Sequence, residues 1–119
     1  ISGMALGVDT IWAICGLFHN IQVTAAIPFI GQEKAWPEES QRQYRKILQH
    51  KLVIPAYICD PGYASWKMQK RYEWMIDHCN ILVAVFDGSS GGTKNCIDYA
   101  VKQNKTIIKI NPKNYGKFI

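Results

Sequence analysis

Apolar residues recur along the chain in two alternating rhythms, one helical and one extended. Val8, Ile11, Trp12, Cys15 and Phe18 return at three- and four-residue steps, which puts them on one face of a helix over Val8 to His19. Asn20 suits its stop. Ile21 to Phe29 (IQVTAAIPF) is β-branched and apolar, so it predicts a strand ending near Pro28. A loop over Ile30 to Trp36 follows. Pro37 opens the next helix, with Glu38 and Glu39 favoured at its positive end and Tyr44, Ile47 and Leu48 on its buried side.

The alternation continues to the C-terminus. Leu52 to Cys59 predicts a strand whose Pro55 cannot donate to a ladder, which places it at an edge or at a bulge. Asp60-Pro61-Gly62 is a turn. Ala64 to Cys79 predicts a helix with Met68, Tyr72, Met75 and Cys79 on one face. Ile81 to Phe86 is continuously apolar, as expected of a parallel strand covered on both faces. Thr93 to Asn104 predicts a helix with Ile97, Ala100 and Val101 inward, and Thr106 to Ile110 a last strand ended by Asn111-Pro112. Strands separated by helices imply right-handed crossovers and a parallel sheet, hence an α/β, Rossmann-like three-layer sandwich forming one domain over 1–119. Ile1 runs straight into a glycine loop, so Ile1 is expected to end a strand, with further sequence upstream.

In such sheets ligands bind beyond the carboxyl ends of the strands. Two loops there are rich in glycine: Ser2-Gly3-Met4-Ala5-Leu6-Gly7-Val8-Asp9, and Asp87-Gly88-Ser89-Ser90-Gly91-Gly92-Thr93 followed by Asn95. Each leads into a helix N-terminus, where backbone N–H groups lack internal partners and the helix dipole is positive. Glycine lets the backbone approach an anion, so phosphate is a natural guest. Ser89, Ser90 and Thr93 add hydroxyl donors. Neither loop is a Walker A motif or a strict dinucleotide fingerprint. Asp9 reads either as a favourable charge in a first helical turn or as a contact to a ribose hydroxyl or the facing loop. Asp87 reads as a turn former or in the same ligand role. Arg71, with Lys67 and Lys70 nearby, reads as part of a solvated face or as a phosphate-binding guanidinium. Trp36, in a loop leaving a strand end, is a candidate to stack on a base. The histidines His19, His50 and His78 fall at helix ends, in surface or capping roles.

Composition narrows the classes. The formal net charge of +5 is spread along the chain, thickening at Lys102, Lys105, Lys109, Lys113 and Lys117. It suits an anionic small molecule, nucleic acid or a plain solvated surface. No apolar run approaches the roughly 18 residues of a membrane span, and no signal peptide is visible, which gives a cytoplasmic protein without a membrane partner. Cys15, Cys59, Cys79 and Cys96 form no C-x-x-C pair and no zinc spacing, and read as small buried thiols. No metal or cofactor is called for.

The run from Ser2 to Asp9, Pro28-Phe-Ile-Gly-Gln-Glu33 with Trp36, Gly91-Gly-Thr-Lys-Asn95, and Tyr99-Ala100 together resemble the SLOG superfamily. The match is to its branch related to the YspA/YpsA proteins of bacteria and phages. The resemblance covers essentially the whole chain. It implies a Rossmann-like fold with nucleotide-derived ligands, about one N-terminal βα unit and most of a second strand preceding Ile1, and two glycine loops facing each other across the ligand site. The Lonely Guy phosphoribohydrolases of the same superfamily share Met68, Arg71 and Met75 in register, and Gly92-Thr93. Asn95 and Cys96 stand where that pattern has two glutamates, whose carboxylates serve glycosidic cleavage. The expected function is therefore nucleotide binding by a sensor or ligand-binding domain. A nucleoside-monophosphate N-glycosidase using Arg71, Asp9 and Asp87 is the alternative. A DNA-associated protein, through a looser resemblance to DNA-processing protein A, ranks last. Exposed sheet edges leave a homo-oligomer open.

Overall fold

Four short strands, each preceded or followed by a helix, carry the architecture. The computed structural model describes residues 1–117. In chain order it contains α1 (Val8–Phe18), β1 (Val23–Ile27), a 3-10 turn (Gln32–Ala35), α2 (Glu38–Leu48), β2 (Val53–Tyr57), α3 (Ser65–Asp77), β3 (Ile81–Val85), α4 (Gly92–Lys102), β4 (Thr106–Ile110) and a second 3-10 turn (Pro112–Lys117). The class is α/β with parallel strands, compatible with a Rossmann-like sandwich. The strands form two parallel pairs, β1 with β2 and β3 with β4. The chain divides into two compact units, Ile1–Arg71 and the part from Tyr72 on, so α3 begins in one and ends in the other.

In the first unit, β1 and β2 run in register from Val23 opposite Val53 to Ile27 opposite Tyr57. Pro55 faces Ala25, and β2 pairs on one side only among the described residues, where a missing N–H costs nothing. Ser2 bridges to Ala25 in parallel, with its N–H on the Thr24 carbonyl and its carbonyl accepting from Ala26. The chain therefore enters the first glycine loop from an extended residue alongside β1. Met4, Ala13, Val23, Ala25, Ile27, Tyr44, Ile47 and Val53 form the buried cluster.

In the second unit, β3 and β4 pair from Ile81 opposite Thr106 to Val85 opposite Ile110. The core is Ile76, Cys96 and Ala100, with Tyr72, Cys79, Leu82, Tyr99 and Ile107 packed around it.

Several expectations are corrected here. The apolar stripe of α1 does not form the core: Ile11 is 60% and Phe18 81% exposed, and the fully buried residue is Ala13. The reason is close approach. A Cβ on Gly16 would lie 3.0 Å from Val23 Cγ2, so the small-residue side of α1 meets β1. Cys15, on the same open stripe, is exposed, whereas Cys96 is buried. On α4, Val101 points outward and Cys96 takes the inward place beside Ile97 and Ala100. β3 is covered less than its composition suggests, with only Ala84 buried and Ile81 exposed.

This distribution predicts unequal costs. Ile27→Ala, which empties a fully buried site, is expected to lower unfolding stability by about 2–5 kcal/mol. Phe18→Ser is expected to stay within about 0.5 kcal/mol. Denaturant titration of the two variants checks this, and similar losses in both would place Phe18 in a core after all.

Candidate ligand-binding site

The first glycine loop is held from inside. Ser2 Oγ donates to the Asp9 carbonyl at 2.7 Å and accepts from the Met4 N–H at 3.2 Å. Asp9 Oδ2 accepts the Ala5 N–H at 3.3 Å, and Thr10 Oγ1 donates to the Ala5 carbonyl at 2.9 Å. Asp9 thus braces the loop as well as placing a negative charge in the first turn of α1. Met4 is fully buried with φ 54, a left-handed conformation that costs a non-glycine residue about 1–3 kcal/mol. Gly7, at the N-cap of α1, has φ 88, supplies no side-chain cap, and has open space where a Cβ would sit. The backbone at Gly7, where α1 begins, is therefore open to its surroundings on the side a Cβ would occupy.

Residues from other elements meet this loop. Arg71 of α3 is 2% exposed, and its Nη1 donates to the Gly3 carbonyl at 3.0 Å. The solvated-face reading of Arg71 is thereby corrected: the guanidinium is inside. Gln32 is buried after the carboxyl end of β1, and its Nε2 donates to the Met4 carbonyl at 3.2 Å. Its second contact, to Tyr44 Oη, is long at 3.5 Å. Next to it, Glu33 has a buried Oε2 that accepts no hydrogen bond. Burial pushes the Tyr44 phenol up to about 12; the Gln32 hydrogen bond and Arg71 pull it back, and Glu33 and Tyr57 raise it further. In the sequence, Gln32 and Glu33 stand out only as part of the Pro28–Glu33 motif. Their place directly after a strand's carboxyl end was the available signal.

Trp36 packs edge-on against Tyr44, ring centroids 5.3 Å apart, and its carbonyl accepts from Gln41 at 2.8 Å. Its ring is half-buried against the first unit's core. Lys67 is also buried: its ammonium donates to the carbonyls of Asp60, Pro61 and Gly62.

The second glycine loop is built differently. Asp87 Oδ1 accepts both the N–H and the hydroxyl of Ser89, at 3.0 and 2.6 Å, which closes a tight turn. Those two bonds, and after them Lys113 at 3.6 Å, hold the exposed Asp87 carboxyl below the usual range. The Ser89 hydroxyl is thus engaged within the loop, while Gly88 at φ 97 and Gly91 at φ 141 keep open space around them. Gly91 caps α4 without a side-chain hydrogen bond. Ser90, Thr93 and Asn95 are exposed, and Cys96 is packed in the core. Gly92 is required by packing, since its Cβ would come within 2.6 Å of Tyr72 Oη.

Comparison with known proteins gives a consistent answer. Residues 1–117 match the family of DNA recombination-mediator protein A. The chain is 38% identical to the SPbeta prophage-derived protein YoqJ of Bacillus subtilis, itself described as uncharacterized, over 86% of this chain and 68% of that one. It is 24% identical to a UPF0398 protein of Brevibacillus brevis, over 71% of this chain and 45% of that one.

The Gly92 contact yields a direct check. Gly92→Ala is expected to destabilise by about 1–3 kcal/mol through overpacking. Combining it with Tyr72→Phe, which removes the clashing oxygen, is expected to recover part of that loss. Additive losses in a double-mutant cycle would show that the phenol does not set this residue.

Proposed function

We propose that this chain, which belongs to the DNA recombination-mediator protein A family, binds a phosphate-bearing nucleotide or nucleoside-derived ligand at the first glycine loop. One observation carries the reading: the uncapped N-terminus of α1 opens on a loop whose Gly3 carbonyl is held by the buried Arg71. The helix dipole and first-turn N–H groups favour an anion there, and the Arg71 guanidinium adds positive charge behind the loop, against the opposing charge of the Asp9 carboxylate in the same turn. Ser2, Gly3, Met4, Gly7 and Asp9 form the loop's share of the site. The buried, hydrogen-bond-free Glu33 oxygen is the acceptor for a ribose hydroxyl. In the second unit, Asp87, Gly88, Ser89, Ser90, Gly91, Gly92, Thr93 and Asn95 offer a glycine turn with an uncapped helix start, a separate candidate for phosphate on the grounds of helix dipole and free N–H groups alone.

Family membership favours one other reading, a role with DNA. Phosphate-directed DNA binding weakens steeply with salt, because condensed counterions are released. Binding a mononucleotide has no such steep dependence.

Thermal unfolding decides between them. A ligand present at about 100 times its Kd stabilises the folded state by about 2.7 kcal/mol, so Tm is expected to rise by several degrees with a nucleoside monophosphate. Arg71→Gln is expected to abolish that rise, with Arg71→Lys intermediate because it keeps the charge but not the fork. Circular dichroism checks that both variants are folded. An undiminished rise in Arg71→Gln, or salt-sensitive binding of DNA alone, would overturn the nucleotide reading.

A further inference from the structure

The turn after β2 is built with more care than a solvent-exposed connection needs. Lys67 is 8% exposed, and its ammonium spends its donors on three consecutive carbonyls, Asp60 at 2.7 Å, Pro61 at 3.2 Å and Gly62 at 2.7 Å. A buried ammonium is costly unless its donors are satisfied, so this lysine fixes one conformation of the turn. The turn includes Gly62 at φ 102 and leads straight into Tyr63. Tyr63 is 75% exposed, yet its ring is held edge-on against buried Phe29, centroids 6.2 Å apart. Lys67 Nζ also lies 5.8 Å from the Phe29 ring centroid, so one cation ties the turn to the end of β1.

The place matters as much as the build. The Ile58 N–H bonds to the Ile27 carbonyl and the Cys59 N–H to Pro28, so β2 leaves at the same edge as β1. Ser2 pairs with Ala25 in the same direction, so the first glycine loop leaves at that edge too. Trp36 spends its ring on Tyr44, whereas Tyr63 keeps a face in solvent.

We propose that Tyr63 is the specificity-determining residue that stacks on the planar base of the bound nucleotide, with Lys67 as the positioning residue that holds it there. This rests on the nucleotide reading above and adds the part of the ligand that a phosphate site cannot distinguish. An aromatic face recognises any base by stacking, with a contribution large enough to change affinity severalfold to about a hundredfold.

Calorimetric titration tests it with two kinds of probe: nucleoside 5′-monophosphates of each base, and ribose 5-phosphate, which has no base. Native protein is expected to bind at least one nucleotide more tightly than ribose 5-phosphate. Tyr63→Ala is expected to weaken that nucleotide about tenfold or more and leave ribose 5-phosphate unchanged, while Tyr63→Phe retains affinity. Lys67→Met is expected to follow Tyr63→Ala with unchanged helix content. Equal affinity of native protein for nucleotide and ribose 5-phosphate would overturn the stacking role while leaving the phosphate site standing. Equal weakening of both probes in Tyr63→Ala would make the residue structural and overturn the proposal. Binding of neither probe would remove the nucleotide reading and this proposal with it. A single-stranded oligonucleotide bound in their place, and lost in Tyr63→Ala, would reassign the ring to nucleic acid and overturn the proposal as stated.

Discussion

A guanidinium almost wholly removed from water, with Nη1 on the Gly3 carbonyl, is the constraint on which the first unit depends. Desolvating such a charge costs several kcal/mol, and hydrogen bonds to it return about 1.5–3 kcal/mol each. The backbone around it must therefore stay where its acceptors are. That requirement links α3 to a loop 68 residues earlier in the chain. It also explains why Met4 tolerates a left-handed backbone: the residue is pinned by the Ser2 hydroxyl, by Gln32 on its carbonyl and by its own burial.

Around that contact the polar groups are arranged so that the loop is stiff but its helix is left open. Ser2, Asp9 and Thr10 use their side chains within the loop and first turn, and none of them caps α1. Glycine at the N-cap contributes no side chain either. Glycine at this N-cap gives up only on the order of a few tenths of a kcal/mol against a serine or aspartate, and its φ of 88 is one that a side-chain-bearing residue would adopt only with strain. The second glycine loop repeats the glycine cap at Gly91 with a different brace, an Asp87–Ser89 turn.

The elements were legible in the sequence because strand and helix periods alternate cleanly, and Pro55 pointed to an edge or a bulge, of which the pairing on one side among the described residues fits the edge. Helix faces were less legible. On α1 the larger apolar residues made the clearer stripe, but contact with β1 is decided by which side is small enough, and Ala13 and Gly16 supply that side. The burial of the two cations is not legible for a related reason. Lys67 and Arg71 are charged residues on an amphipathic helix, and helical periodicity does not show that the turn just before the helix folds its carbonyls onto Lys67, or that the Gly3 carbonyl from a distant loop reaches Arg71. Gln32 and Glu33 sat in plain view after a strand end, but a short polar loop has no periodicity to single them out.

The central claim is that the first glycine loop is an anion site organised by Arg71. Backbone amide NMR during titration with a nucleoside 5′-monophosphate tests it residue by residue. The account predicts shifts concentrated on the amides of Gly3 to Asp9 and on Gln32 and Glu33, together with the guanidinium resonance of Arg71. Shifts confined to other surfaces, with these resonances unmoved at saturation, would contradict it and leave the loop as a structural turn.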